Sequence, residues 1–343
     1  KAQHYSIAVN ELEWVWEHFH SNQIFRTDSL TMFKSSLHWM VAVMFGGLII
    51  GTPRSLLDNT PLRSLLSRNI RFSRIQTSIE NGYLDAVAVT AASYGSTRST
   101  TFFQAIPGKH HWVRKRRLGI RQDLHLDHLM SSIAVPMIFP PVSIDGEYFG
   151  DGAMRQATPL SPAVHLGADR ILVIGVRDET TDPQANPRSP QRFPSFAQIA
   201  GYILDTLFMD GLYSDLEGMT RINQIIDSVE PLKRAGTLIK MRPIDTMVIV
   251  PSKDLRVIAH RHRKDLPLPL RALLRGIGGD HPSESRLLSY LLFEQGYTKE
   301  LIDLGYNDAM TVKDQLHAFV TGEDVPRLFA PSWVAKDLSS FDD

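Results

Sequence analysis

Gly150-Asp151-Gly152-Ala153 is the stretch from which the rest of the chain is read. It lies between Ile144–Phe149 and Ile171–Val176, two runs that read as β-strands. Glycines on either side of an aspartate permit sharp backbone paths and close approach, so the carboxylate can be presented to a cleft. The same four residues also suit an ordinary turn in which Asp151 bonds its own backbone.

The neighbouring segments give this stretch a context. Leu126–Ile133 reads as a short helix with Asp127 in its first turn. Pro136, Pro140 and Pro141 then predict a stiff, extended path. Asp145-Gly146 marks a turn before the strand that reaches Phe149. After the motif, Thr158–Pro162 leads into a helix stopped by Gly167, and Arg170–Val176 reads as a strand. Strand, short helix and strand form the pattern of a right-handed crossover in a mostly parallel sheet.

Further out, Lys1–Phe19 has helical periodicity, with Ala8, Leu12, Val15, Trp16 and Phe19 three or four residues apart. Phe25–Ile50 reads as one or two helices, and the apolar run Trp39–Ile50 is too short to span a bilayer. That run is either a buried helix or an interfacial segment. Thr60 is expected to cap a helix with Pro61 at its first position and Leu62, Leu65 and Leu66 on one face. Asn81-Gly82 marks a turn, and Leu84–Ala92, apolar on both faces, suits a central strand. Ser93–Ser96 turns into a second strand, Thr100–Ala105. Residues 178–194 form a Pro-, Thr- and Asp-containing loop and mark the expected boundary between 1–177 and a mainly helical 195–343. Its helices are expected at Phe196–Phe208, Leu212–Val229, Leu255–Arg263, Pro269–Leu274, Glu284–Gln295 and Thr298–Leu304. One strand, near 246–251, could join the sheet.

Composition removes several alternatives. Formal net charge is zero, so no bulk field argues for nucleic acid. Without cysteine there are no disulfides or thiolate metal sites, and a reducing compartment is favoured. The 13 histidines are scattered; His260 and His262 lie in a basic run, and no HxxxH with an acidic partner predicts a metal. Gly276–Gly279 follows a helical pattern rather than a strand and reads as a helix stop, so no nucleotide, flavin or other cofactor is called for. Arg114-Lys115-Arg116-Arg117 is the densest positive cluster, suited to a solvated surface or to anionic lipid headgroups.

A family resemblance now joins these pieces. Ser131–Val142, Tyr148–Ala153, Pro159-Leu160 and Leu166–Val173, in that order and spacing, are similar to the patatin-like phospholipases, and more narrowly to bacterial members. Asn59–Leu62 and Ser289–Phe293 fit the same group. The resemblance implies a three-layer α/β/α fold with a mostly parallel central sheet. It also implies a Ser-Asp dyad that hydrolyses phospholipids or other acyl esters without a cofactor. Asp151, in the motif Asp151-Gly152-Ala153, would be the base. In the family a serine in Gly-x-Ser-x-Gly is the nucleophile, and a glycine-rich loop supplies N–H donors to the oxyanion.

The chain departs from the family in one respect: Gly-x-Ser-x-Gly does not occur in it, nor does a glycine-rich oxyanion segment. In the family both lie ahead of the region at which this chain begins. The resemblance therefore implies an amino-truncated member lacking the first strand and nucleophile elbow, inactive by itself. Ser96 has Gly95 before it but lacks the second glycine of an elbow and reads as a turn serine; Ser132 falls in a helical pattern. The alternative is a non-catalytic lipid-binding or scaffolding protein on a degenerate hydrolase fold, and a third reading makes the helical carboxyl half a partner-docking module. A cytoplasmic or peripheral-membrane location is expected.

Overall fold

A computed structural model describes residues 2–28, 55–176, 195–209, 211–228, 242–276, 285–323 and 326–331. The apolar run Trp39–Ile50 and the loop 178–194 lie outside the described residues.

The strand expected at Leu84–Ala92 is β1, Ala86–Ser93, and it does lie inside a sheet. A five-residue turn links it to β2, Ser99–Ala105, and so short a connection can join only antiparallel neighbours. Every residue of β2 is buried. Phe102 packs edge-on against Phe149 at 5.3 Å, while Phe103 stacks on Trp112 at 4.8 Å. Successive strand residues thus serve opposite layers, as a pleat requires. β3 (Trp112–Val113) and β4 (Arg117–Arg121) follow, then β5 (Val142–Ile144) and β6 (Glu147–Asp151). The order is β3-β4-β2-β1-β6-β5. A second sheet of three parallel strands holds β7 (Arg170–Ile174), β8 (Asp245–Ile249) and β9 (Leu328–Phe329).

The α/β class and its helix-covered sheets are those expected. Parallel pairing is confined to β2 with β4 and to β7–β9; the other four pairs are antiparallel, three of them hairpins closed by short turns. The expected crossover is corrected: β6 and β7 do not pair, and β7 takes β8, the strand expected near 246–251, as its partner.

The helices are α1 (Ala2–Glu17), α2 (Ser21–Ile24), α3 (Thr60–Asn69), α4 (Ser73–Glu80), α5 (Leu126–Ser132) and α6 (Ser161–Leu166) in the first half. The second half contributes α7 (Phe196–Met209), α8 (Leu212–Ser228), α9 (Leu255–Arg261), α10 (Leu268–Gly276), α11 (Ser285–Leu291), α12 (Gln295–Thr311) and α13 (Lys313–Thr321). The largest group of buried side chains joins Phe102 and Phe149 to Met130 of α5 and to Ile258, Leu270 and Leu288 of the second half. Across the smaller sheet, α8 covers one face through Leu216 beside Ile171 and Val248, and α13 covers the other through Phe319 beside Met247.

Three local expectations change. The helix at 60 is capped one residue earlier, by Asn59, and the amide N–H of Thr60 is taken by the Asp58 carboxylate at 2.9 Å. Pro136–Ile138 turns instead of extending: Met137 has φ 67°, and the Phe139 N–H donates to Val135 O at 2.9 Å. A proline's fixed φ serves the first position of a turn as well as an extended chain, and Leu56 and Leu57 N–H groups hold the turn's carbonyls. The helix expected over 284–295 stops at Leu291, because Glu294 is drawn out to bridge His20 and accept the Ser21 N–H.

Candidate active site

Asp151 is the last residue of β6, and its position follows from a hairpin. Asp145 and Gly146, at φ 51° and 83°, make the tight left-handed turn that Asp-Gly favours between twisted strands. That turn sets β6 against β5 and brings Asp151 opposite Ala91 of β1. The Asp151 N–H donates to Ala134 O at 2.9 Å, tying the strand end to the segment after α5. Its carboxylate accepts the Ala153 N–H at 2.9 Å, capping the 3-10 turn Gly152–Arg155.

The turn-aspartate geometry is realised. Asp151 does bond its own backbone two residues on, yet it is only 7% exposed. Burial disfavours the charged form and pushes its pKa up to about 6, against the pull of the Ala153 N–H. A carboxylate so placed can take a proton from a hydroxyl near neutral pH and hold it.

The flanking glycines are there for close approach, and neither has a positive φ. A Cβ on Gly152 would fall 2.3 Å from the Thr90 carbonyl oxygen of β1. A Cβ on Gly150 would fall 2.7 Å from the Tyr94 hydroxyl. Tyr94 follows β1, and its amide N–H donates to Tyr148 O at 2.9 Å. Burial and the Asp151 charge both raise its pKa. The sequence carried no signal for Tyr94 or Thr90, since neither belongs to a motif.

Other titratable groups nearby are committed to the fold. Glu147, at the start of β6, takes the Ser93 hydroxyl and the Ser96 N–H, which hold its carboxyl below the usual range. His128 is buried against Phe102 and His125, and burial lowers its pKa to about 4, so it is neutral at physiological pH. Ser96 is a turn serine, its hydroxyl donating to Ser93 Oγ at 2.8 Å. Ser132 ends α5, half-buried. Arg114, Lys115 and Arg116 form the exposed β3–β4 turn, whereas Arg117 enters β4 and bonds Thr158. Gly276 closes α10. Among the described residues no three acidic or histidine side chains group as a metal site, and no helix is long and apolar enough to cross a membrane.

The chemistry of a buried carboxylate at a strand end gains weight from comparison with known families. Residues 6–164, from α1 into α6 and including Asp151, match the family model described as patatin-like phospholipase. Over this stretch the chain is similar to the patatin-like phospholipases. A comparison with curated proteins gives no match. Similarity to the patatin-like phospholipases points to hydrolase chemistry on lipids or other acyl esters.

Proposed function

We propose that this patatin-like chain supplies the base of a serine-type lipid acyl hydrolase, and that Asp151 is that base. The reading rests on one observation: a family-motif carboxylate buried at the end of β6 with its pKa raised to about 6. In this reading the serine is supplied from outside these 343 residues, none of which falls in Gly-x-Ser-x-Gly.

In this reading the Asp151 carboxylate accepts the serine hydroxyl proton as Oγ attacks the acyl carbonyl. The protonated Asp151 then gives that proton to the departing alcohol. An acyl-serine remains, and water, deprotonated by the same carboxylate, releases the fatty acid. A raised pKa suits both halves of the cycle, because an ordinary carboxylate near 4 holds a proton too weakly to return it at neutral pH. Gly152 lets the motif approach β1 closely enough to fix the carboxylate.

The test joins the 343 residues to the segment carrying the serine and follows hydrolysis of a short-chain acyl ester. Asp151→Asn is expected to lower the rate roughly 10²–10⁴-fold with the fold intact. Full activity in that variant overturns the assignment. A second reading, a lipid-binding protein without catalysis, is favoured by the lack of the serine motif and predicts lipid binding by the 343 residues unchanged in Asp151→Asn.

Two exposed features favour contact with a lipid surface. α1 presents Tyr5, Trp14 and Trp16, amphipathic rings of the kind that sit at headgroup level, and the β3–β4 turn presents Arg114, Lys115 and Arg116. Flotation with vesicles is expected to improve when anionic lipid is added; indifference to lipid charge removes the basic turn from this role.

A further inference from the structure

We propose that His262 is a proton-operated clasp: protonated, it holds the first turns of α12 against the end of α9, and on losing its proton to water it loosens α12 and the amino-terminal helix that rests there. The device is independent of the hydrolase reading and of Asp151.

His262 follows directly on α9, and both of its ring nitrogens face carboxylates. Nδ1 lies 3.0 Å from Asp265 Oδ2, and Nε2 lies 2.8 Å from Glu300 Oε2. Asp265 belongs to the same turn, its N–H donating to His262 O at 2.9 Å, whereas Glu300 comes from α12. An ionised carboxylate only accepts, and a neutral imidazole has a single N–H to donate. The two contacts are hydrogen bonds together only when the ring is an imidazolium. Without the proton, one ring lone pair is left facing a carboxylate oxygen. Gly296, in the first turn of α12, gives the ring its seat: a Cβ there would fall 3.0 Å from Nδ1 and 3.3 Å from Asp265 Oδ2.

Around the ring, Asp265 and Glu300 are joined by Tyr297 of α12, whose ring lies 6.2 Å away, and by Arg261, which holds the other Glu300 oxygen at 2.5 Å. Lys299 of α12 reaches instead to Glu17 of α1, at 4.0 Å. Burial alone would lower the His262 pKa, but the two carboxylates outweigh it and raise it above the ordinary 6.5. The clasp is therefore fully present below 6.5 and is lost as pH rises through the folded value. The start of α12 is also where the amino end attaches. Glu294 bridges His20 at 3.0 Å and accepts the Ser21 N–H at 3.3 Å, Phe19 packs edge-on against Phe293, and α1 lies along α12.

Hydrogen exchange of the 343 residues, read by mass spectrometry and corrected for the intrinsic pH dependence, tests the clasp segment by segment. Between pH 6 and pH 9 the amides of α12 and α1 are expected to lose about tenfold in protection, the equivalent of one charge-assisted hydrogen bond. In His262→Gln the same amides should exchange at the fast rate at both pH values. Protection of α12 that is equal at pH 6 and pH 9 overturns the clasp. A pH step that survives in His262→Gln also overturns it, since another group, such as His20, then carries the step. Loss of protection in α12 without loss in α1 overturns the coupling to the amino end. Glu300→Gln keeps an acceptor for Nε2 and removes its charge, so the test stands even where His262→Gln does not fold. Its step should move to lower pH, and a step left in place overturns the proposal.

Discussion

β6 carries a carboxylate at each end, and the two have opposite surroundings. Glu147 opens the strand, takes a hydroxyl and an amide N–H, and is held ionised. Asp151 closes it, takes one amide N–H, is buried, and is pushed towards its protonated form. Glu147 thus behaves as a clasp between β6 and the β1–β2 turn. Asp151 has been left with basicity to spend, and that difference in donors, four residues apart, separates a structural acid from a candidate base.

The glycines at the two ends give the largest contrast. Gly152→Ala sets a methyl 2.3 Å from the backbone oxygen of Thr90, which cannot swing away. It is expected to cost about 3 kcal/mol, as overpacking against a rigid neighbour does, measured by urea unfolding. Gly95→Ala, at the Glu147 end, meets only the side-chain Oε1 at 3.2 Å. Equal costs at both positions would break the comparison.

Next in size is the effect of removing the Asp151 charge. Its folded pKa is raised, so its contribution to stability is fully present below the unfolded carboxyl value, near 4, and is lost as pH rises through about 6. Asp151→Asn, which keeps the acceptor for Ala153, is expected to stabilise the fold by on the order of 2–3 kcal/mol at pH 8 and by nothing at pH 4. His128, with its lowered pKa, destabilises the fold as pH falls from 6.5 towards 4, but it titrates in both proteins and cancels in their difference.

Glu147→Ala should act with the opposite sign. It leaves the buried Ser93 hydroxyl without its carboxylate and is expected to cost about 1–2 kcal/mol at pH 7. The Glu147 pKa is lowered, so its contribution is present above the ordinary value of 4.5 and fades as pH falls through the folded value. The gap from wild type should accordingly narrow in acid. The smallest effect is that of Gly95→Ala, under about 1 kcal/mol, since the Glu147 side chain can shift by a few tenths of an ångström. Thermal melts across pH 4–8 read the two carboxylates together.

Local chemistry was what the sequence disclosed well. Asp145-Gly146 announced its hairpin, Gly167 its helix stop, and the run at 84–92 its place inside a sheet, because each depends on residues within a few positions. What it hid depends on distant partners. β3 and β4 are short and straddle a basic turn, so Arg114–Arg117 read as a solvated or lipid-facing surface run and not as the turn of a hairpin. The break at Glu294 comes from His20, at the other end of the chain. β6 and β7 fit a crossover by spacing alone, yet pairing places them in different sheets. At the candidate site Asp151 stood out through its motif, whereas the approach of Gly152 to Thr90 is recognisable only once β6 is seen beside β1.

On the hydrolase reading, burial gives Asp151 the basicity of a proton acceptor near neutral pH. That basicity is tested most directly by following the Asp151 carboxyl carbon by NMR through an acid titration of the folded chain, assigned with Asp151→Asn. A midpoint close to 6 is the predicted result. A midpoint at or below the ordinary value of 3.8 would contradict the account and leave Asp151 as a turn residue alone.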